Sequence, residues 1–216
     1  MKATGIKSLL LVLFIVGLSN ILPAQELKTI QLLSPDMKSG KTLMQSLKDR
    51  KSSREFAVKA LTLQELSNLL WAANGLNRPE EGKRTAPSAS NWQDIDIYVV
   101  LEEGVYLYYA AVSQLKPVVA GNFRESAGAQ GFVATAPVNL IYVSDYARMK
   151  NAKEEVKPVY AAADAAFIAQ NVYLYCASAD LAVVVRASLN KEKLATLLKL
   201  APGQNVVLAQ TVGYPK

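Results

Sequence analysis

The stretch VYAAADAAFIAQNVYLYCASA, residues 159–179, decides the fold of this chain. It is rich in alanine and apolar on nearly every face, so it predicts a long helix that is buried over most of its surface. Its polar side chains, Asp164, Gln170 and Asn171, argue against a membrane span. In a domain of this size, the helix is either central to the fold or buried against a second subunit. Cys176 lies within the apolar pattern and is interpreted as a core residue.

The segments around this helix predict an α+β domain. Thr62 and Glu65 form a capping box that opens the clearest of the other helices, and Gly75 closes it. A long loop, residues 76–94, follows. The predicted strands are 95–101, 105–110, 138–144, 180–188 and 205–212, and the remaining predicted helices are 38–50, 122–130 and 191–200. Helices segregated around an antiparallel sheet are typical of the α+β class.

The first 24 residues have the layout of a signal peptide. A basic start with Lys2 and Lys7 precedes the apolar run 8–18, and a small residue, Ala24, ends the segment. The apolar run is too short for a comfortable membrane span, although an uncleaved anchor remains the alternative. We therefore predict cleavage after Ala24, export to the periplasm or the extracellular space, no membrane contact after removal of the signal, and a single domain over residues 25–216.

The composition excludes several kinds of chemistry. The chain has no histidine and one cysteine, which excludes Ser-His-Asp and Cys-His catalysis, imidazole metal ligands and a thiolate zinc site. No loop carries the alternating aspartates of a calcium site, so we predict no metal. The formal net charge of +6 comes without a long basic run and does not indicate nucleic acid. Any chemistry must use carboxylates, Lys, Tyr, Ser or a bound organic cofactor.

The segment RKSSR, residues 50–54, places two arginines and a hydroxyl at alternate positions after the first predicted helix. In an extended chain alternate residues share one side, so Arg50, Ser52 and Arg54 would face together. Two guanidinium groups flanking a hydroxyl suit a phosphate. The segment by itself leaves open a second interpretation, in which these are ordinary charges at a helix end.

A second motif is APSASNWQD, residues 86–94. Small residues after Pro87 let the backbone approach a flat ligand closely. Asn91 and Gln93 carry amides that donate and accept at once, as the edge of a heterocycle requires. The alternative is a polar surface loop before a strand.

Together the motifs resemble the FMN-dependent nitroreductase family. Residues 50–54 are similar to its early Arg-x-Ser-x-Arg/Lys motif, and residues 87–93 to its Pro-Ser-x-x-Asn-x-Gln motif. Ala136-Pro137, residues 164–171 of the long helix, and Gly213-Tyr214-Pro215 resemble further motifs in the same order. The resemblance covers roughly residues 43–216 and points to the branch that includes azoline-oxidising dehydrogenases.

The chain also departs from the family pattern. Asp180-Leu181-Ala182 stands where the family has Gly-Leu-Gly, so a different loop geometry is possible there. Only Lys216 remains of the basic residues that follow Gly-Tyr-Pro in the family.

The resemblance implies a nitroreductase-like α+β fold, in which helices flank a central, mostly antiparallel sheet and a long buried helix forms a homodimer. FMN would lie at the subunit interface, and NAD(P)H would give hydride to flavin N5 before a nitroaromatic, quinone or similar acceptor takes the electrons. No catalytic side chain is required, which agrees with the missing histidine.

The resemblance also implies the residues that contact the cofactor. The phosphate and ribityl chain would be held by Arg50, Ser52 and Arg54, and the flavin would be covered by Pro87, Ser88, Ala89 and Ser90 of the opposite subunit. The flavin edge would be contacted by Asn91, and the ring would be passed by Val185, Arg186 and Ala187. The remaining cofactor-binding residues would be Lys51, Gln93 and Lys216.

Two other functions stay open from the sequence. One is a secreted flavin-binding protein of the same fold without efficient turnover, because nicotinamide cofactors are not expected outside the cytoplasm. The other is a dimeric interaction module in which Arg50 and Arg54 are helix-end charges only.

Overall fold

A seven-stranded antiparallel sheet is the centre of the structure, a computed structural model that describes residues 26–216. The signal-peptide prediction for residues 1–24 lies outside the described residues. The strands of the sheet are β1 (Ile30–Gln31), β4 (Ile95–Val100), β5 (Gly104–Tyr109), β6 (Gln114–Ala120), β7 (Val138–Asp145), β8 (Ala182–Arg186) and β9 (Gln204–Gly213), and a separate hairpin contains β2 (Leu76–Arg78) and β3 (Lys83–Arg84). Their order across the sheet is β1-β6-β5-β4-β7-β9-β8, so β8 ends one edge.

The helices are α1 (Leu43–Asp49), α2 (Leu63–Asn74), α3 (Lys157–Ser178) and α4 (Lys191–Leu197). The long helix α3 packs against α1, α2 and the strands β8 and β9. Its inward side chains, such as Val172 and Cys176, join Leu69 and Leu70 of α2 and Tyr142 of β7 in one buried cluster. The predicted central helix is therefore present, and burial of its apolar face holds it on the sheet.

The opposite face of the sheet has its own core. Leu194 and Leu198, in and just after α4, pack there on Ile141, Val143 and Ala209. Two short 3-10 turns, Arg124–Ala127 and Gly131–Ala134, lie over the same face. The sheet is thus covered on both sides, as its apolar central strands require.

The predicted α+β class is confirmed, as is the capping box of α2, in which Thr62 and Glu65 bond to each other's backbone. The predicted helix over 122–130 is wrong, because Gly128 ends it after the short 3-10 turn Arg124–Ala127. Strand β6 was not predicted because Pro117 lies within it. β1 pairs with Gln114 and Leu115, so Pro117 lies beyond that pairing, and the pairing of β6 with β5 has a bulge next to Pro117.

The loop 76–94 also differs from the prediction, since it contains the β2–β3 hairpin. Among residues 26–216 there is no helix with the length and apolarity needed to cross a membrane.

Candidate functional site

The basic segment lies along the open edge of β8. The Ser53 amide donates to the Val183 carbonyl at 2.9 Å, and the Ala57 amide donates to the Tyr214 carbonyl at 2.9 Å. Phe56 forms an isolated antiparallel bridge with Pro215. These contacts hold residues 53–57 beside β8 and the end of β9. Of the three residues predicted to face together, this stretch contains Arg54.

Tyr173 of α3 organises the start of the segment. Its hydroxyl lies 2.7 Å from Ser52 Oγ and accepts a bond from the Val185 amide at 3.0 Å. The Arg50 guanidinium lies over the ring, 5.4 Å from its centroid. When the Tyr173 hydroxyl donates to Ser52, the Ser52 proton is free for a ligand. Arg50 and Ser52 therefore converge on one buried tyrosine.

The cations of this segment are available to an anion. Arg50, Lys51 and Arg54 are exposed, and within residues 26–216 none of them forms an ion pair with a carboxylate. Lys216 comes directly after Pro215, which is bridged to Phe56, so the fold brings this exposed lysine to the same end of the site. The four cations fit a dianionic phosphate in chemistry.

A cleft of about 370 Å³ lies beside the segment, lined by residues that include Lys51, Ser53 and Tyr173. On its rim, Lys41 Nζ lies 3.2 Å from Asp49 and 2.5 Å from Asp180. The hydrogen bonds that Lys41 donates to Asp180, and then to Asp49, raise the pKa of Lys41, so this lysine stays charged. It offsets the two carboxylates that would otherwise repel an anion.

The structure also shows the backbone conformation at Asp180, where the family pattern has the first glycine of Gly-Leu-Gly. Asp180 has a φ of 55°, in the left-handed region, which aspartate tolerates better than most residues. Ala182 begins β8 and is buried. An aspartate thus occupies a left-handed backbone position that favours glycine, and its carboxylate binds Lys41.

The second motif forms a strained loop. Ser90, Asn91 and Gln93 have φ values of 48°, 54° and 49°, all in the left-handed region. The Gln93 amide group is used inside the loop, since Oε1 accepts from Arg84 Nε at 2.7 Å and Nε2 donates to the Gly82 carbonyl at 2.8 Å. Pro87, Ser90 and Asn91 are exposed, whereas Ser88 and Ala89 are half-buried. Gln93 thus shapes the loop, and its Nε2 also donates to Asn91 Oδ1 at 3.2 Å.

This loop rests on the first half of α3. The Ala89 amide lies 3.1 Å from each carboxylate oxygen of Asp164, and the Trp92 ring meets Tyr160 edge-on at 5.3 Å. Tyr173 comes nine residues after Asp164, which at the rise of a helix is about 13 Å along its axis. One chain therefore does not bring the loop and the basic segment together.

The end of β8 offers fewer groups to a ligand than the sequence predicted for Val185, Arg186 and Ala187. The Val185 amide is already bonded to Tyr173, and the Arg186 side chain is buried on the other face of the sheet, where it donates to the Ala127 carbonyl at 2.8 Å. Burial lowers the pKa of Arg186 to about 10. Ala187, just past the strand, is exposed. The Val185 side chain is partly exposed and packs on the core beside α3. Among these three residues, Val185 and Ala187 are therefore on the α3 side, whereas Arg186 is not.

Sequence reasoning missed Tyr173 and Lys41. Tyr173 lies in the same apolar helix as Tyr175, and no local pattern separates the two. Lys41 acquires its role from Asp180, 139 positions away, so no signal in its own neighbourhood identifies it.

The nitroreductase family model matches residues 47–214. A protein of Methanocaldococcus jannaschii that is assigned as a nitroreductase is 33% identical over 182 residues, which span 80% of this chain and 91% of the relative. A crystal structure of a protein assigned as a nitroreductase from Ralstonia eutropha is 42% identical, with a TM-score of 0.83 over 87% of this chain and 90% of that one.

A third structure, of a protein assigned as a nitroreductase in complex with FMN from Desulfovibrio desulfuricans, has a TM-score of 0.58 and covers 82% of this chain and 88% of that one. At 20% identity this likeness concerns the fold. Fold and site together define an oxidoreductase of the nitroreductase-like class. Within that class, the chain belongs to the nitroreductase family, as the motifs indicated.

Proposed function

We propose that this protein is an FMN-dependent oxidoreductase that takes hydride from NAD(P)H and passes the electrons to a nitroaromatic, a quinone or a similar acceptor. The main support is the segment with Arg50, Lys51 and Arg54 beside a cleft, because these cations form no ion pair with a carboxylate among the described residues. The chain also belongs to the nitroreductase family. The relative from Desulfovibrio desulfuricans binds FMN. When bound, FMN supplies two-electron chemistry that the side chains of this chain do not offer.

The residues of the chain would bind and orient this cofactor. Arg50 and Arg54 would donate charge-assisted hydrogen bonds to the phosphate, with Lys51 and Lys216 adding charge. Ser52 would donate its free proton, because Tyr173 holds its oxygen from the other side. The edge of β8 would limit access of water to one side of the cleft.

We also propose a homodimer in which each site is completed by the loop 87–93 of the partner subunit. The separation of about 13 Å along α3 keeps this loop away from the basic segment of its own chain. Large apolar side chains are exposed on α1 and α3, and such patches mark interfaces. They are Leu43, Met44, Leu47, Val159, Tyr160 and Phe167, with Met44 74% and Val159 68% exposed.

An absorbance spectrum tests the function. The purified protein, incubated with FMN and passed through a desalting column, should retain the flavin bands, and anaerobic NADH or NADPH should bleach them. Protein that does not retain FMN would contradict the proposal. Retained flavin that neither nicotinamide reduces would instead select the flavin-binding protein without efficient turnover.

Export remains part of the proposal and is supported by the sequence of residues 1–24. Mass spectrometry of the protein produced in its own host should find a chain beginning at Gln25. Recovery of the full-length chain from the cytoplasm would contradict export and would leave the flavin chemistry unaffected.

A further inference from the structure

Two buried aspartates lie under the loop 87–93. Asp94 is 0% exposed and Asp164 is 1% exposed. Asp94 Oδ2 accepts a bond from Ser144 Oγ at 2.6 Å, whereas Oδ1 is buried and has no hydrogen-bond partner among the described residues. Asp164, on α3, accepts the Ala89 amide with both oxygens. Both carboxyl groups lie under the same short loop, and, after burial, a hydrogen bond with the Asp94 side chain is among the causes that raise the pKa of Asp164.

Two carboxylates in contact in a buried place do not both ionise, because neither charge is solvated and the two repel. One proton between them removes the repulsion and gives Asp94 Oδ1 the donor that it lacks. Burial first, and then the hydrogen bond with Asp94, raise the pKa of Asp164 to about 7. The pair resembles a single acid that holds one proton up to neutral pH.

No cation replaces this proton. Besides Asp164, Tyr146 and Arg148 are the titratable groups whose pKa values the charge of Asp94 raises among the described residues. The charged groups around these two residues are Asp96, Asp145, Glu154 and Lys157. Arg148 binds Asp96 at 2.7 Å and Asp145 at 3.3 Å, and Lys157 binds Glu154 at 2.5 Å. Within residues 26–216, neither Asp94 nor Asp164 belongs to an ion pair.

The loop 87–93 above the pair has a strained backbone that the surrounding structure must restrain. Its three left-handed residues, Ser90, Asn91 and Gln93, hold a conformation that costs free energy and persists only when the surroundings restrain it. The carboxyl pair supplies such a restraint at two points, since Asp94 ends the loop and Asp164 holds Ala89 near its start.

We propose that Asp94 and Asp164 share one proton and thereby fasten the loop 87–93 to α3. They are positioning residues for the loop that, on the proposed function, covers the flavin of the partner subunit. The role in flavin binding rests on that proposed function, whereas the fastening of the loop does not.

The sign of the pH dependence follows from the raised pKa. Asp164 is protonated in the closed loop up to about pH 7 and ionised in the unfolded chain above about pH 4. The stabilisation is therefore complete below about pH 4, declines as the pH rises, and is lost above about pH 7, when the proton has gone to solvent. The loop should loosen across the neutral range.

Asp164→Asn removes the titratable proton but can keep the hydrogen bonds that the protonated Asp164 makes. The asparagine oxygen can accept from the Ala89 amide while its NH₂ group donates to Asp94 Oδ1, as the protonated acid does. Asp94→Asn gives a second neutral pair, in which the new amide donates to Asp164. Asp36→Asn makes the same chemical change at an exposed aspartate outside the site and is the matched control.

The first readout is the emission of Trp92 in the full chain without added FMN, in a Trp71→Phe background, because Trp92 is the ring of the loop that packs on α3. From pH 5 to pH 8.5 we expect a shift toward solvent-exposed emission in the parent and in Asp36→Asn, and a flat profile in Asp164→Asn and Asp94→Asn. The second readout is the FMN dissociation constant, which should rise with pH by at most about tenfold per pH unit in the parent and stay constant in the two variants.

A parent whose Trp92 emission does not change with pH would overturn the proposal, and so would an Asp164→Asn profile identical to that of the parent. Circular dichroism identifies a variant that does not fold, in which case the other asparagine variant decides. If FMN does not bind at any pH, the proposed function fails, but the Trp92 profiles still test the carboxyl pair.

Discussion

At the residue scale, Tyr173 connects three parts of the candidate site. Its hydroxyl joins Ser52 of the basic segment to the Val185 amide of the edge strand, and its ring lies under Arg50. An edge strand leaves every second amide without a strand partner, so a side-chain acceptor at Val185 satisfies one of them. Tyr173 thus determines both the position of Ser52 and the end of the sheet.

Tyr173→Phe should lower the free energy of unfolding by about 1–2 kcal/mol, because the Val185 amide loses its acceptor. It should also weaken FMN binding by about tenfold, or ~1.4 kcal/mol, because Ser52 is no longer held. Urea unfolding and a fluorescence titration with FMN measure the two effects. Tyr175→Phe is the matched control, since that hydroxyl makes one long bond, of 3.3 Å, to the Glu65 carbonyl outside the basic segment. Equal FMN affinity in the two variants would contradict the role of Tyr173.

A second residue-scale prediction concerns Gly128, which lies against Arg186. A Cβ on Gly128 would overlap a terminal nitrogen of the Arg186 guanidinium. Its backbone is extended, so the constraint is close approach and not backbone strain. Gly128→Ala should cost about 1–3 kcal/mol in urea unfolding, whereas Gly131→Ala, where a Cβ meets nothing within 4 Å, should cost less. Similar losses in both variants would show that Arg186 has room to move.

At the element scale, the capping box of α2 is tied to the end of the chain. Glu65 Oε2 accepts from the Thr62 amide at 2.8 Å, the Thr62 hydroxyl at 2.7 Å and the Tyr214 hydroxyl at 2.6 Å. Burial raises the pKa of Glu65, but the bonds from Tyr214 and Thr62 outweigh it, and the pKa is lowered overall. The Gly-Tyr-Pro motif therefore holds the start of α2 through its tyrosine.

This geometry predicts a loss of stability in acid. A lowered pKa means that the stabilisation is present above the unfolded value of about 4.5 and is lost as the pH falls through the folded value. Glu65→Gln should lower the free energy of unfolding by about 1 kcal/mol at pH 7 and by less at pH 4. Urea unfolding at the two pH values measures this, with exposed Glu80→Gln as control. A loss that is as large at pH 4 as at pH 7 would contradict the role of the Glu65 charge.

At the scale of the whole molecule, the exposed apolar side chains of α1 and α3 and the separation of the two motifs support the proposed homodimer. A flavin site in one chain would leave the loop 87–93 about 13 Å from the basic segment along α3. A two-fold dimer that covers the apolar side chains provides one explanation for both observations.

Phe167→Glu should therefore abolish the dimer and weaken FMN binding at least tenfold, because a charge in the interface is not solvated. Phe167 is 48% exposed in the single chain, so the substitution should leave the folded monomer intact. Light scattering after gel filtration gives the mass, and an FMN titration gives the affinity. Val112→Glu, at an exposed apolar residue away from α1 and α3, should change neither. A monomeric variant that binds FMN as the parent does would contradict a shared site.

Much of the fold was predictable because its signals are local. The apolar run of α3, the capping box at Thr62 and the apolar runs of β4 and β7 depend on neighbours in the chain. Strand β6 was not predictable, since Pro117 is compatible with a strand only where partner pairing allows it. The helix predicted over 122–130 failed because Gly128 ends the 3-10 turn and lies against Arg186.

The sequence by itself determined the class of fold, the family and the residues of the two motifs, because periodicity and motif spacing are properties of the chain. Only the tertiary structure decided that Ser52 is held by Tyr173, that Lys41 neutralises Asp180, that Arg186 points to the other face, and that Asp94 meets Asp164. Each of these contacts joins residues tens of positions apart, and hydrogen bonds and charges act over a few ångströms in space. No local pattern records such a contact before the chain has folded.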